Sequence, residues 1–410
     1  MQSRFAGPLE EREFRNYFFA RAFSLLGDGI VPVALAFAVL EIEKSASALG
    51  LVLAAYTVPR VVFLLAAGVW ADRLPRNLVM VASDLLRFGS QGTAAVLLIS
   101  GEAEVWHLFA LNLVHGTGAS FFIPASSGLV PQLVSPGRLQ EANGLLSLTA
   151  SISEVVGPIV GGVLVATIGA GWALGIDAVT FLMSAAFLVR LRVPEAAARV
   201  AASFLSELRG GWREFTSRTW LWVDGVYSAL SNAAILAPVW ALGPLVAEES
   251  LDGASSWAAI VTAFGLGAVL GGLVAMRFKP ARPIFSGVIV LSLLALPPAL
   301  LAGPAPTAAI AAGAFAGGAA LIFFNTLFET TVQEQVPHGA LSRVVSIDWM
   351  LSLALYPIGL AGAGFVADAI GAGPTLVGAA VFAVVSTAIV LTVPSVRAVR
   401  RGGPATIPAP

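Results

Sequence analysis

The chain has 410 residues, 57% of them apolar and only 11% charged, with a mean hydropathy of +0.87. A soluble domain carries charge on about a quarter of its residues, so a water-soluble globular protein is excluded. The formal net charge of −1 gives no global basic field for nucleic acid, and the absence of cysteine removes disulfides, thiolate metal sites and prenyl or palmitoyl anchors.

A membrane crossing needs roughly 20 apolar residues. The chain has room for twelve, at about 15–40, 47–71, 78–100, 104–131, 143–168, 172–193, 218–246, 255–277, 283–303, 306–335, 343–368 and 372–394. Nineteen of the 23 Lys and Arg residues fall in alternate gaps between these spans. The opposite gaps hold Lys44 with Glu41, Glu43, Glu102, Glu104, Glu248, Glu249 and Asp252. Basic loops stay in the cytoplasm, so this alternation predicts an all-α, multi-pass protein of the cell membrane with both ends inside. The first 14 residues lack the apolar core of a signal peptide, and the first span is expected to be a retained insertion signal.

Span one carries Asp28, 13 residues beyond Arg15 and hence ~20 Å into the bilayer at about 1.5 Å per residue. Arg21 lies on the same face, and Tyr17 and Ser24 extend a polar stripe. Ionisable groups at such depth cost several kcal/mol and mark function. Arg60 in span two, His115 in span four and Glu154 in span five join the list. Asp28 with Arg60 or Arg21 either exchanges a proton or forms a buried pair that fixes helix register; proton exchange is the expectation. Asp84, Arg87, Asp224, Glu329, Glu334 and Asp348 are placed nearer the cytoplasm, as inner-gate or hydrated charges, and Asp177 and Asp368 near outer ends.

The first inner loop reads Gly68-Val-Trp-Ala-Asp72-Arg73-Leu-Pro-Arg76-Asn77. Gly68 allows close helix approach, Asp72 suits a neighbouring helix N-terminus, and Arg73 and Arg76 can clamp the inner face. Span five reads Gly144-x8-Ser153-Glu154-Val-Val-Gly157-Pro158-Ile-Val-Gly161-Gly162, a bend or a packing seam. Residues 190–218 hold six Arg and three Glu and divide the chain six spans to six. Phe204, Leu208 and Trp212 there suit either an amphipathic helix on the inner membrane surface or a solvated linker. The expected organisation is therefore 1–193, a linker at 194–217, and 218–410.

The halves repeat. Phe121, Phe122, Val134, Gly137 and Leu139 recur 202 residues later as Phe323, Phe324, Val336, Gly339 and Leu341. This is the pattern of parallel halves related by an axis along the membrane normal. The second half is poor in mid-depth polar residues beyond Ser231, Asn232, Asn325 and Thr326, so its share of a cavity, with Phe324, should be largely apolar and aromatic. Asn112 and Asn232 complete the expected cavity set of Tyr17, Ser24, Asn325 and Phe324.

The first inner loop, at this spacing and place, resembles the major facilitator superfamily, with Asn77 and Pro75 departing from its usual pattern. Span five is similar to the motif associated with that superfamily's twelve- and fourteen-span drug/proton antiporters, Ser153 replacing one Gly. Phe14-Arg15-Asn16, Phe122-x-Pro124-Ala125 with Pro131, Glu141-Ala142-Asn143-Gly144 and Asp177-Ala-Val-Thr-Phe181 are similar to its macrolide, multidrug and siderophore exporters. Asn112 stands where that superfamily usually has a span-four arginine; Arg60 or Arg87 are candidates to replace it. The resemblance implies two pseudo-symmetric six-helix bundles, alternating access and proton-coupled export of a hydrophobic or amphipathic small molecule. Its alternative is a proton-linked importer or facilitator of the same fold. A monomer in the bilayer, without cofactor, metal or nucleic acid, is the expectation. With no Gly-x-Ser-x-Gly, no His-Glu-x-x-His and only His107, His115 and His338, an intramembrane enzyme has little support, and no loop is long enough for a sensor's signalling domain.

Overall fold

The computed structural model describes residues 7–127, 129–135, 138–192, 204–303 and 305–401. The chain forms α1 (Arg12–Ile42), α2 (Ala46–Arg73), α3 (Arg76–Ser100), α4 (Val105–Ser127), α5 (Leu139–Ile168) and α6 (Ala170–Leu188). After α7 (Phe204–Thr216) come α8 (Thr219–Ser250), α9 (Ala254–Arg277), α10 (Pro283–Ala302) and α11 (Thr307–Gln335). The last helices are α12 (His338–Ala354), α13 (Tyr356–Ile370) and α14 (Ala372–Thr392). Among the described residues, eleven spans are long and apolar enough to cross a membrane. α3 is not among them, because Ser83, Asp84, Arg87, Ser90 and Gln91 form a polar face along it.

Two compact units divide the chain: 1–199 with 252–258, and 200–251 with 259–410. In the first, α1 packs against α5 and α6, α3 against α4 and α6, and α2 against α4. Its core is aromatic and small: Phe14, Tyr17, Ala20, Met80, Phe122, Leu129 and Leu188. In the second, α11 packs against α10, and α12 packs against both α7 and the first half of α8. The polar segment between the spans thus contains a true helix, α7, whose Phe215 is buried in the second core while Trp212 is exposed.

Helix approach is controlled by glycine. A Cβ on Gly157 would stand 2.5 Å from Gly29 Cα, and one on Gly29 would stand 2.7 Å from the Ser153 carbonyl oxygen. Gly161 is similarly pressed against the Ile30 carbonyl oxygen, 2.9 Å from its would-be Cβ. Gly157 and Gly161 therefore form a backbone-to-backbone seam with α1. Gly162 meets Ala258, and Gly144 faces open space. In the second unit Gly359, 202 residues after Gly157, meets the backbone of Ala233 in the corresponding way.

Two further glycines mark the repeat. Ile168-Gly169-Ala170-Gly171 and Ile370-Gly371-Ala372-Gly373 are 202 residues apart. Gly169 has φ 87° and Gly371 φ 95°, each joining two helices through a single residue whose backbone disfavours any side chain.

α8 is interrupted by a π-helical stretch, Asn232–Leu236, just before Pro238. Asn232 Nδ2 donates to the Ser352 carbonyl 2.9 Å away, near the break between α12 and α13 at Leu355. Irregular backbone in membrane-spanning segments belongs where protein or a cavity satisfies it.

The seam yields a direct expectation. Gly157→Ala should lower the unfolding temperature in detergent, overpacking the α1–α5 contact by about 1–3 kcal/mol. Gly144→Ala, in open space, should leave it unchanged or slightly raised. Equal melting of the two variants would contradict the seam.

Candidate functional site

Among the described residues, a polar constellation stands out within the membrane-spanning helices of each unit. In the first, Asp84, Arg87 and Gln91 lie three and four residues apart and share the buried face of α3. Arg87 Nη2 donates to Asp84 Oδ1 one turn earlier, and Arg87 Nη1 lies 3.5 Å from Asp28 Oδ2 on α1. The guanidinium is held between two rings, 4.5 Å from the centroid of Phe122 on α4 and 4.2 Å from that of Phe181 on α6. Such contacts suit a delocalised, weakly hydrated cation.

A third carboxyl group belongs here. Asp177 on α6 is fully buried, lies against the backbone of Gly27, and is within electrostatic reach of Asp28 and Arg87. Gln91 on α3 is within hydrogen-bonding reach of its carboxylate. A Cβ on Gly27 would collide with this carboxylate, so glycine is what lets α6 bring its acid to α1. The Asp84 side chain is 0% exposed and Arg87 3%, whereas Asp28 is 32% exposed. Of these acids, Asp28 reaches out of the cluster.

His115 on α4 is buried between Tyr56 and Phe181, with ring centroids 5.3 and 5.6 Å away, and its Nδ1 makes no hydrogen bond. Arg60 lies over Tyr56 at 5.2 Å, and Arg21 over Phe122 at 5.3 Å. Asp28 is thus brought to Arg87, not to Arg60 or Arg21. Arg87 stands at the centre of α3 and not toward the cytoplasmic end, because that helix already begins at Arg76. Asp177, expected near an outer end, belongs to the same cluster.

The remaining first-half candidates are dispersed. Tyr17 is buried and shares a 2.7 Å hydrogen bond with Ser126. Ser24 is buried with its hydroxyl unpaired, and Asn112 Nδ2 donates to the Leu108 carbonyl at 2.8 Å. Glu154 is exposed on α5 and forms no ion pair among the described residues. Gly68, Asp72 and Arg73 occupy the last turns of α2, and their side chains lie outside the described residues; Arg76 opens α3.

The second constellation surrounds a cavity of about 390 Å³ within the second unit, inside the usual range for small-molecule sites. Asn232, Asn325 and Phe324 line it, as do Tyr227, Phe328 and Trp349. So do Glu329 on α11 and Asp348 on α12, with Asp224 buried within electrostatic reach of Asp348. Glu329 and Asp348, expected as inner-gate or hydrated charges, line this cavity. No sequence signal pairs them, since they lie on different helices. The Asp84–Arg87–Gln91 spacing, in contrast, was there to be read as one helical face.

The profile of a family described as transmembrane secretion effectors matches residues 2–402. The chain belongs to this family of the major facilitator superfamily. This secretion-effector protein is 24% identical over 367 residues to macrolide efflux protein A of Streptococcus pyogenes, a match covering 88% of this chain and 90% of the relative. It is 28% identical over 378 residues to the multidrug efflux pump Tap of Mycolicibacterium fortuitum, covering 86% and 88%. To the enterobactin exporter EntS of Shigella boydii it is 26% identical over 272 residues, covering 66% and 65%. Among solved structures, a variant of the nucleoside transporter NupG aligns with a TM-score of 0.77 at 14% identity, over 92% of this chain and 99% of that one. An inward-facing bacterial homologue of the lysosomal transporter Spinster aligns at 0.69 and 16%, over 97% and 98%. These likenesses are of fold. The secretion-effector family and its efflux relatives make this a multi-pass transporter of the cell membrane, not an enzyme family member.

Removing the guanidinium tests how far the first cluster depends on it. Arg87→Gln should destabilise the folded protein by about 3–5 kcal/mol, because acids remain buried without their cation. Adding Asp84→Asn should restore part of that loss in a double-mutant cycle read by denaturation in detergent. Full stability of the single variant would refute the dependence.

Proposed function

We propose that this protein is a twelve-span exporter that drives a hydrophobic or amphipathic small molecule out of the cell by proton entry, working by alternating access with both termini cytoplasmic. The observation that supports the reading is that, among the described residues, Arg87 pairs with Asp28 and Asp84 while Asp177 lies within its electrostatic reach. One guanidinium offers one positive charge to three carboxyl groups, in a setting where uncompensated charge is costly. Binding and release of a proton is the simplest way such a cluster changes its charge. Asp28 is the proton carrier in this reading, because it alone of the three is partly exposed. Glu154, exposed on the helix that forms the seam with α1, is a second carrier. Arg21, Arg60 and His115 surround the route as supporting groups. Gly68, Asp72, Arg73 and Arg76 form the inner gate.

Export as the direction is supported by three relatives named for efflux or export. The apolar and aromatic walls around Asn232, Asn325 and Phe324 favour an amphipathic substrate over a sugar or phosphate. A monomer suffices, since each proposed site is built within one unit of one chain.

The test uses inverted membrane vesicles and a fluorescent amphiphile under an imposed pH gradient. The native protein should accumulate the probe when the lumen is acid. Asp28→Asn should lose gradient-driven uptake, by a factor of about 100 or more, while retaining probe binding. Undiminished uptake by that variant removes Asp28 from the mechanism, and movement of the probe only in the opposite sense makes the protein an importer.

A further inference from the structure

One end of the second unit is crowded with positive charge. Arg277, Lys279 and Arg282 lie at the turn between α9 and α10, and Arg397, Arg400 and Arg401 follow α14; all six are exposed. Neither 276–283 nor 393–401 contains an acidic residue. Among the described residues, one carboxylate pairs with the group: Glu334 Oε1 lies 3.9 Å from Arg401 Nε. Arg397 Nε donates to the Leu391 carbonyl, which leaves its charge uncompensated. The corresponding turn of the first unit has Asp72 among its cations, whereas Val274 stands 202 residues later.

The two basic segments are held together by the fold. The Arg401 amide donates to the Ala281 carbonyl at 3.2 Å, and the short helix Pro394–Ala398 packs against the start of α10. Val396 and Val399, each 1% exposed, belong to the core of the second unit. Valine at these positions and arginine beside them turn one side of the segment into the core and leave the other charged. Like charges gathered in this way repel, and the protein itself offers them little counter-charge.

An apolar surface adjoins the cations. Met276 and Phe278 alternate with Arg277 and Lys279 and are 63% and 55% exposed. The Phe278 ring is set by Phe323 of α11, 6.1 Å away. Both α9 and α10 are long and apolar enough to cross a membrane, so these cations stand where the spans leave the hydrocarbon layer. A soluble anion would use the charges and leave Met276 and Phe278 in water. A phospholipid uses both, its phosphate on the cations and its acyl chain on the apolar pair.

We infer that this surface of the second unit binds the phosphate headgroups of anionic phospholipids. The lipid supplies here the negative charge that the first half carries in its own sequence as Asp72. Arginine suits the task, since its planar fork meets phosphate oxygens with paired N–H donors. That the leaflet concerned is the cytoplasmic one rests on the topology proposed above; the binding itself does not.

The test is equilibrium binding of fluorescent phosphatidylglycerol to the purified full-length protein in neutral detergent. Unlabelled phosphatidylglycerol should compete, phosphatidylcholine and glycerol 1-phosphate should not, and added salt should weaken binding. Replacing Arg277, Lys279 and Arg282 by Gln should lower affinity about a hundredfold, and so should replacing Arg397, Arg400 and Arg401 by Gln. All six side chains are exposed, so neither variant disturbs the core. Arg12→Gln with Arg15→Gln, in the first unit, should leave affinity unchanged. Equal competition by phosphatidylcholine reduces the surface to apolar adhesion, and equal competition by glycerol 1-phosphate makes it a soluble-anion site; either overturns the inference, as does native affinity in both triple variants. The assay holds no gradient and no transported substrate, so its failure leaves proton-driven export standing, and failure of export leaves the lipid site standing.

Discussion

At bilayer depth there is no water to complete a hydrogen bond or screen a charge, so every polar group must find its counterpart within the protein. In the first unit that demand converges on Arg87. Its planar fork reaches carboxylates on two helices while its faces rest on rings from two more, a combination a lysine ammonium cannot reproduce. Four helices are fixed by one side chain. The small residues follow from it: Gly27 makes room for Asp177, and Gly29 with Gly157 lets α1 and α5 close to backbone contact beside Asp28.

The two units share a frame and differ in chemistry. Gly157 and Gly359, and Gly169 and Gly371, are each 202 residues apart and do the same structural work in each half. The side chains built on that frame have diverged. The first half concentrates its acids on an arginine, whereas the second spreads acids along a cavity wall with hydroxyl, amide and aromatic neighbours. Backbone approach is a geometric need common to both halves, and so only glycine serves; the polar residues answer to ligands, and ligands differ.

Much of the architecture could be read from the residues. The all-helical, many-span character came from apolar runs, eleven of the expected twelve spans being long and apolar enough among the described residues, and the internal repeat from residues such as Phe121 and Val134. The few apolar positions of α7 fit a helix and a linker equally. The site was less legible. Asp28 stood out through its distance from Arg15, but its partner did not, because depth counted along one helix says nothing of which neighbour faces it. That Glu329 and Asp348 share one cavity wall is hidden for the same reason. Their meeting depends on how α11 and α12 pack, and the Ile-Gly-Ala-Gly repeat was hidden by a composition rich in those residues.

The π-helical stretch in α8 has a bearing on how this chain is compared with others. A π turn is an α-helix with one residue more than its period allows, so side chains beyond Leu236 are rotated by about 100° from where continuous α-helix would set them. Against a relative whose equivalent helix runs unbroken, the structural correspondence requires a single-residue gap within 232–236. An ungapped alignment there would equate Trp240 and its successors with residues on another face, and any residue role transferred through it would land one position off.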